Sequence, residues 1–118
     1  MSSYELCDMW KSLESKSRQR IYAIIDFHAT WCGPCKKFAP KFKELRSQYP
    51  DIIFANYDVD EYPKLADQLE ISSVPTFILV DIRKMEIYRR IDGVNEKKIT
   101  EYLKRLTLKT LDQNKLIS

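Results

Sequence analysis

Strand-like apolar segments alternate with amphipathic helical segments along this chain, and that alternation restricts the possible folds more than any other feature. Residues 22–27, 52–58 and 76–80 are short runs rich in β-branched and aromatic side chains, and each predicts a strand. The first is nearly all apolar, as expected of a strand buried on both faces, and the second is expected to be another central strand. Helical patterns separate these runs. Strands that alternate with helices indicate parallel pairing through right-handed crossovers, so we expect an α/β protein.

Four helices are predicted around the strands. Leu6, Trp10 and Leu13 recur at helical spacing and predict a helix over about residues 7–15, with room for a short edge strand before it. A second helix follows Pro34 and carries a predicted kink at Pro40. Its buried stripe comprises Phe38, Phe42, Leu45 and Tyr49. Residues 62–69 and 96–106 predict a short helix and a closing helix.

The last two strands are close enough in sequence to form a hairpin. Residues 85–91 predict an outer strand with Ile87 and Ile91 facing inward. The connecting residues 81–84 contain no glycine, so we expect a wider loop or a different turn type. A hairpin joined to parallel strands gives a mixed sheet.

Composition limits the class of protein. At 118 residues the chain fits one compact domain. A net charge of +3 with 31% charged residues is too weak and too mixed to indicate nucleic-acid binding. The apolar runs are far shorter than the roughly 20 residues that cross a bilayer. We therefore expect a soluble protein without nucleic-acid or membrane partners.

Cysteine spacing carries the clearest chemical signal. Cys32 and Cys35 lie three positions apart where a strand ends and a helix begins. The helix N-terminus favours a thiolate, so Cys32 is the expected nucleophile, while Cys35 is expected to be more buried and to attack second. Zinc is the alternative, but four ligands would require Cys7 and His28, which lack the usual paired spacing. We predict no metal site.

The segment from Asp26 to Lys36, DFHATWCGPCK, resembles the active-site segment of the thioredoxin family. The resemblance extends from about residue 4 to 106, with Pro40, Asp58-Val59-Asp60, Val74-Pro75-Thr76 and Gly93 in matching positions. It implies the thioredoxin fold, a three-layer α/β/α sandwich with a central mixed sheet flanked by helices. It divides the chain into a thioredoxin domain at 1–107 and a tail at 108–118.

The resemblance also implies roles for individual residues. Cys32 and Cys35 form the redox disulfide, and Asp26, alone in an apolar strand, accepts the Cys35 proton with a raised pKa. An Asp26 that merely bonds a backbone group is the alternative. A cis Val74-Pro75 bond would place a turn against the sulfurs, where the Val74 backbone pairs with substrate; a trans surface turn is the alternative. The implied substrate-contacting residues are Trp31, Gly33, Pro34, Val74, Pro75 and Gly93, although Gly93 equally fits a simple turn.

Several residues depart from the family pattern or have no assigned role. His28 stands where many family members carry a tryptophan or another neutral residue, and it either titrates near the site or has a structural role. Asn56 stands where some members carry a lysine beside the buried aspartate. Cys7 is expected to be semi-buried and apolar in character. The tail either extends the last helix, docks elsewhere or frays.

The leading functional hypothesis is a protein-disulfide reductase. By resemblance it binds no cofactor and receives electrons from NADPH through a flavoprotein, thioredoxin reductase; disulfide-containing client proteins are its other partners, and it acts as a monomer. The first residues show no secretory signal pattern, so we expect a reducing, cytoplasmic location. The alternatives are a binding module with incidental redox activity, and a disulfide-forming oxidase.

Overall fold

The computed structural model describes residues 4–117, with side chains through residue 113. Its elements follow the predicted order of helices and strands. In chain order they are α1 (Tyr4–Ser17), β1 (Tyr22–His28), α2 (Gly33–Gln48), β2 (Ile52–Asp58), α3 (Pro63–Gln68), β3 (Thr76–Asp81), β4 (Glu86–Asp92) and α4 (Glu96–Ile117).

The four strands form one mixed sheet in the order β2-β1-β3-β4. The predicted central position of residues 52–58 is wrong, because β2 pairs only with β1 among residues 4–117 and is therefore an end strand. β1 pairs in parallel with β2, while β3 pairs antiparallel with both β1 and β4. Parallel pairing requires a crossover, which α2 supplies, and the short β3–β4 connection produces the antiparallel hairpin. The predicted mixed sheet is confirmed.

Two apolar clusters, one on each face of the sheet, hold the helices in place. Side chains of α2 and α4, including Phe42 and Leu103, pack with Phe77 on one face. Side chains of α1 and α3, including Leu13 and Leu65, pack on the other. β1 and β3 are buried along almost their whole length because helices cover both of their faces. This arrangement confirms the three-layer α/β/α sandwich.

The outer strand β4 departs from its predicted alternation. Ile91 is buried as expected, but Ile87 is 49% exposed, so its predicted inward orientation is wrong. The pairing slips between Leu79 and Val80, whose partners are Arg89 and Ile87, leaving Tyr88 as an extra residue in β4. A bulge of this kind breaks the two-residue period, which changes the direction of every side chain beyond it. The β3–β4 loop has four residues and a positive φ of 53° at Met85, so it is wider than a two-residue turn, as expected.

Helix α1 is longer than predicted and begins at Tyr4, so residues 4–6 are helical where a short edge strand was expected. The expected edge strand could also include residues 1–3, which lie outside the described part of the chain. Cys7 is exposed, and its predicted semi-burial is wrong. The buried face of α1 is formed by Met9 and Leu13, and Cys7 lies outside that stripe.

Residues 108–117 of the predicted tail extend the last helix, since α4 continues to Ile117, and residue 118 lies outside the described residues. Thr110 is buried, and the Gln113 Nε2 donates a hydrogen bond to the Tyr22 hydroxyl over 3.2 Å. The predicted division at residue 107 remains a prediction, with α4 running unbroken across it. Within residues 4–117, no helix is long and apolar enough to cross a membrane.

Two leucines on α4 allow a matched test of this packing. Leu103 is fully buried, whereas Leu108 is 62% exposed. We expect Leu103→Ala to lower the free energy of unfolding by about 2–5 kcal/mol, because it removes buried contacts and leaves a cavity. Leu108→Ala should change it by no more than about 0.5 kcal/mol. Denaturant unfolding measures both, and equal losses in the two variants would contradict the described docking of α4.

Candidate active site

The paired cysteines lie at the start of α2, directly beyond the end of β1. They form a disulfide with their Cα atoms 5.3 Å apart. Cys32 is the N-cap of α2, and its Sγ accepts a hydrogen bond from the Cys35 backbone N–H over 3.2 Å. The first N–H groups of a helix have no partner within the helix, so this sulfur occupies the position where they stabilise negative charge.

Both cysteines are buried in this oxidised state. Cys32 is 4% exposed and Cys35 is 7% exposed, so the expected deeper burial of Cys35 is wrong. Ala29 and Val74 pack against the pair, and this cover shields both sulfurs alike. The two cysteines differ instead in surroundings, because Cys35 lines a cleft that Cys32 does not reach.

The turn that covers the sulfurs contains the predicted cis bond between Val74 and Pro75. Val74 packs against the cysteine pair, as the resemblance implied. The Pro75 carbonyl accepts a hydrogen bond from the Gly93 N–H over 2.8 Å, which joins the turn to the end of β4. Gly93 has a φ of +84°, a conformation that favours glycine, so the turn role expected of it is present.

Side chains to which the sequence analysis assigned no role brace this turn. The Thr76 hydroxyl donates to the Ser73 carbonyl over 2.7 Å and also lies 3.1 Å from the Asp92 Oδ1. Arg90 bonds to the same Asp92 oxygen and donates to the carbonyls of Leu69 and Glu70, at the end of α3. The turn is thereby connected to both β4 and α3. No local sequence signal indicated Arg90, because its partners lie about 20 residues away.

The surface beside the disulfide is open. Trp31 is 69% exposed, and its indole N–H donates to the Asp60 carboxylate over 2.9 Å. Gly33 and Pro34 are exposed in the first turn of α2, and a Cβ added at Gly33 would meet open space. Trp31 therefore presents a ring fixed at one end, as a platform that a partner protein can cover. Asp60 was noted only as part of a strand end, and its role in holding Trp31 was missed.

Asp26 lies below the disulfide in a cleft of about 570 Å³ that it shares with Cys35. Its side chain is buried, and its Oδ1 has no hydrogen-bond partner among the described residues. Burial raises the pKa of the carboxyl from 3.8 to about 6, against a smaller lowering contribution from His28. The predicted direction of the pKa shift is therefore present, and the free oxygen is available to a proton donor.

His28 and Asn56 line the same cleft. His28 is partly exposed at the end of β1, and its carbonyl accepts a hydrogen bond from the Val59 N–H. Asn56 pairs directly with Asp26 across the sheet and is neutral, so no lysine stands at this position to offset the buried carboxylate. Burial consequently dominates the behaviour of Asp26.

The described residues contain no cluster of three or more histidine, cysteine or acidic side chains arranged to hold a metal ion.

Comparison with known proteins identifies one family. The model of the family Thioredoxin matches residues 9–105. The chain is 38% identical over 89 residues to the mitochondrial thioredoxin-3 of Saccharomyces cerevisiae, covering 75% of this chain and 68% of the relative. It is 39% identical over 82 residues to a thioredoxin of Geodia cydonium, covering 70% and 76% of the two chains.

Solved structures agree with the sequence matches. The crystal structure of Fasciola hepatica thioredoxin superimposes with a TM-score of 0.75 at 31% identity, covering 84% of this chain and 91% of the other. A poplar thioredoxin h gives a TM-score of 0.77 at 29% identity, covering 91% and 93%. The predicted thioredoxin fold is confirmed.

The raised pKa of Asp26 predicts how stability depends on pH. The folded-state pKa of about 6 lies above the ordinary 3.8, so the charged carboxylate destabilises the folded state above about pH 6 and this cost disappears as the pH falls towards 4. We expect Asp26→Asn to stabilise the oxidised protein by about 2–3 kcal/mol at pH 8, and by much less near pH 4. Denaturant unfolding across this range measures the difference. Asp67→Asn, at an exposed position on α3, is the control, and an Asp26→Asn effect independent of pH would contradict the assignment.

Proposed function

The chain belongs to the thioredoxin family, and we propose that its dithiol is regenerated by an NADPH-dependent flavoprotein, thioredoxin reductase. The chain is a protein thiol-disulfide oxidoreductase whose redox centre is the Cys32–Cys35 pair. The observation that carries this function is the disulfide itself, formed at the N-terminus of α2 beneath the Val74–Pro75 turn.

Reduction of a client begins from the dithiol form. The Cys32 thiolate attacks one sulfur of the client disulfide, and the other client sulfur leaves as a thiolate, giving a mixed disulfide. Cys35 then loses its proton and attacks the Cys32 sulfur. The second client thiolate leaves, and the Cys32–Cys35 disulfide forms. The client has gained two electrons, and the Cys32–Cys35 dithiol has lost two.

Asp26 is the proposed proton acceptor for Cys35. Both residues line one cleft, and the Asp26 Oδ1 has no hydrogen-bond partner in the described part of the chain. A carboxyl with a pKa of about 6 is mostly ionised at neutral pH, yet it holds a proton more readily than an ordinary aspartate. It is therefore suited to take the Cys35 proton as the second attack begins and to release it afterwards.

Client binding is proposed on the surface around Trp31, Gly33, Pro34, Val74 and Gly93. The Val74 backbone offers main-chain hydrogen bonds to an extended client segment, a mode that tolerates many side-chain sequences. The exposed Trp31 ring supplies apolar area beside the reactive sulfur. The bracing of the turn by Thr76, Asp92 and Arg90 supports this role, because a preorganised backbone costs less to order on binding.

The source of electrons is proposed from the family's chemistry. Thioredoxins carry no cofactor of their own, so each turnover leaves an oxidised chain that another protein must reduce. A flavoprotein that takes hydride from NADPH and passes electron pairs to a disulfide meets this requirement. The chain is then the diffusing carrier between that enzyme and its clients.

A coupled assay tests the mechanism. Purified chain, thioredoxin reductase and NADPH are combined with a disulfide-containing protein such as insulin, and NADPH consumption is followed. We expect turnover to be abolished in Cys32→Ser, because the attacking sulfur is lost. Cys35→Ser should accumulate a mixed disulfide that mass spectrometry detects. Cys7→Ser is the control and should retain full activity. Equal rates for all variants would contradict the mechanism, and turnover with dithiothreitol but not with reductase would contradict only the proposed electron source.

We further propose that the chain acts as a monomer in the cytoplasm. Net reduction of clients needs a compartment that keeps the dithiol form populated, and the cytosol is one. One relative is a mitochondrial thioredoxin, so localisation of the tagged natural protein is the appropriate test. Cytoplasmic signal supports the proposal, and signal confined to mitochondria contradicts it. Sedimentation of the reduced and oxidised forms should show single chains in both.

A further inference from the structure

The outer edge of β2 is uncovered in the described part of the chain. β2 is an end strand of the sheet and pairs only with β1 among residues 4–117. It is seven residues long and shows no irregularity in its pairing. A long, regular end strand presents backbone hydrogen-bonding groups on which another strand can form.

The register identifies the backbone groups that point outward. The Val59 N–H donates to the His28 carbonyl, so residue 59 directs its backbone groups towards β1. Successive residues of a strand direct these groups to opposite edges, so Tyr57 and Ala55 also face β1. Phe54 and Asn56 therefore direct their N–H and carbonyl groups to the outer edge. The Ile52 N–H fits this pattern, since it donates to the Tyr49 carbonyl rather than to β1.

Two clefts follow this edge, one on each side of β2, and together they form what we call the edge groove. The cleft towards α1 has a volume of about 660 Å³ and that towards α2 about 570 Å³. Both are lined by Arg46, Phe54 and Asn56, so the groove is continuous around the strand.

Positive charge borders the edge groove on both sides. Lys16 and Arg20 line the cleft towards α1, Lys43 lines the cleft towards α2, and Arg46 lines both. Among the lining residues the only carboxylate is Asp26, which is buried beneath the disulfide. A chain lying along β2 would therefore meet cations and no exposed acid among those lining side chains.

The other end strand differs in the features that discourage pairing. β4 carries a bulge at Tyr88 and exposed charges at Glu86, Arg89 and Arg90. Bulges and charged side chains are the usual protection of a sheet edge. β2 has neither a bulge nor a lysine or arginine within its own residues.

We propose that the edge groove binds an acidic, extended segment of a partner protein, which adds to β2 as a fifth strand. Main-chain hydrogen bonds to Phe54 and Asn56 would hold the segment, and its carboxylates would lie against Lys16, Arg20, Lys43 and Arg46. This surface is separate from the client surface at Trp31 and Val74, although its cleft towards α2 is the one that Asp26 and Cys35 also line.

Charge disfavours a second copy of this chain as the occupant. Antiparallel pairing of two β2 strands about a twofold axis at Ala55 places Phe54 of each copy opposite Asn56 of the other. Lys43, which lines the groove with Phe54 and Asn56, would then approach the same lysine of the other copy. An acidic segment replaces this repulsion with attraction.

The test uses a peptide of alternating threonine and glutamate, about eight residues long to match a strand, with a threonine–lysine peptide as the control. The Cys32→Ser protein is used, so that binding is measured apart from redox turnover. We expect the glutamate peptide to bind and the lysine peptide not to bind. Binding should slow hydrogen exchange at the Phe54 and Asn56 amides and leave exchange at the β4 amides unchanged.

Charge-reversal variants provide the matched control. Lys16→Glu with Lys43→Glu should weaken peptide binding at least about tenfold, whereas Lys98→Glu with Lys104→Glu, an equal charge change on α4, should leave it nearly unchanged. Equal weakening in both pairs, or binding without protection of the two amides, would overturn the proposal. So would amides already protected in the free chain, or a dimer that protects them without peptide. The reductase assay of the unmodified chain without peptide tests the proposed redox function separately from this binding.

Discussion

The site depends on one hydrogen bond at the beginning of α2, from the Cys35 N–H to the Cys32 sulfur. A helix needs an acceptor for its first N–H groups, and here the acceptor is the reactive atom itself. The backbone conformation that starts the helix is therefore also the one that stabilises a negative charge on the Cys32 sulfur. β1 is a buried strand in the middle of the sheet, and it ends just before Cys32. The burial of this strand therefore fixes the position of the redox centre.

The surrounding structure covers that sulfur on one side and leaves the neighbouring surface open. Val74 packs over the cysteines, and the turn that carries it is bonded to Gly93 and, through Thr76 and Asp92, to Arg90. Beneath the disulfide, the same sheet holds a carboxyl whose pKa burial raises to about 6. A stiff turn above and a proton acceptor below allow the two sulfurs, which are nearly equally buried, to perform different steps.

Much of this could be predicted from local sequence, because strand and helix patterns reflect which faces are buried. The bounds of β2 were predicted as the structure has them, and Asp26 was recognised because a charge in an apolar strand is unusual. Ile87 was predicted incorrectly, since a bulge depends on how two strands align and leaves no mark in one of them. The helical conformation of residues 4–6 and the exposure of Cys7 follow from which face of α1 docks on the sheet. Asp60 and Arg90 act on partners distant in sequence, which no local pattern reveals.

The most direct measurement of the central claim is the alkylation rate of each cysteine in the fully reduced protein at about pH 6.5, well below the ordinary thiol pKa of about 8.5. Cys7 is an internal standard, because it is an exposed thiol in the first half of α1. If the start of α2 stabilises the Cys32 anion, Cys32 should react at least about ten times faster than Cys7, even though it is less accessible. A Cys32 that reacts no faster than Cys7 under these conditions would contradict the account.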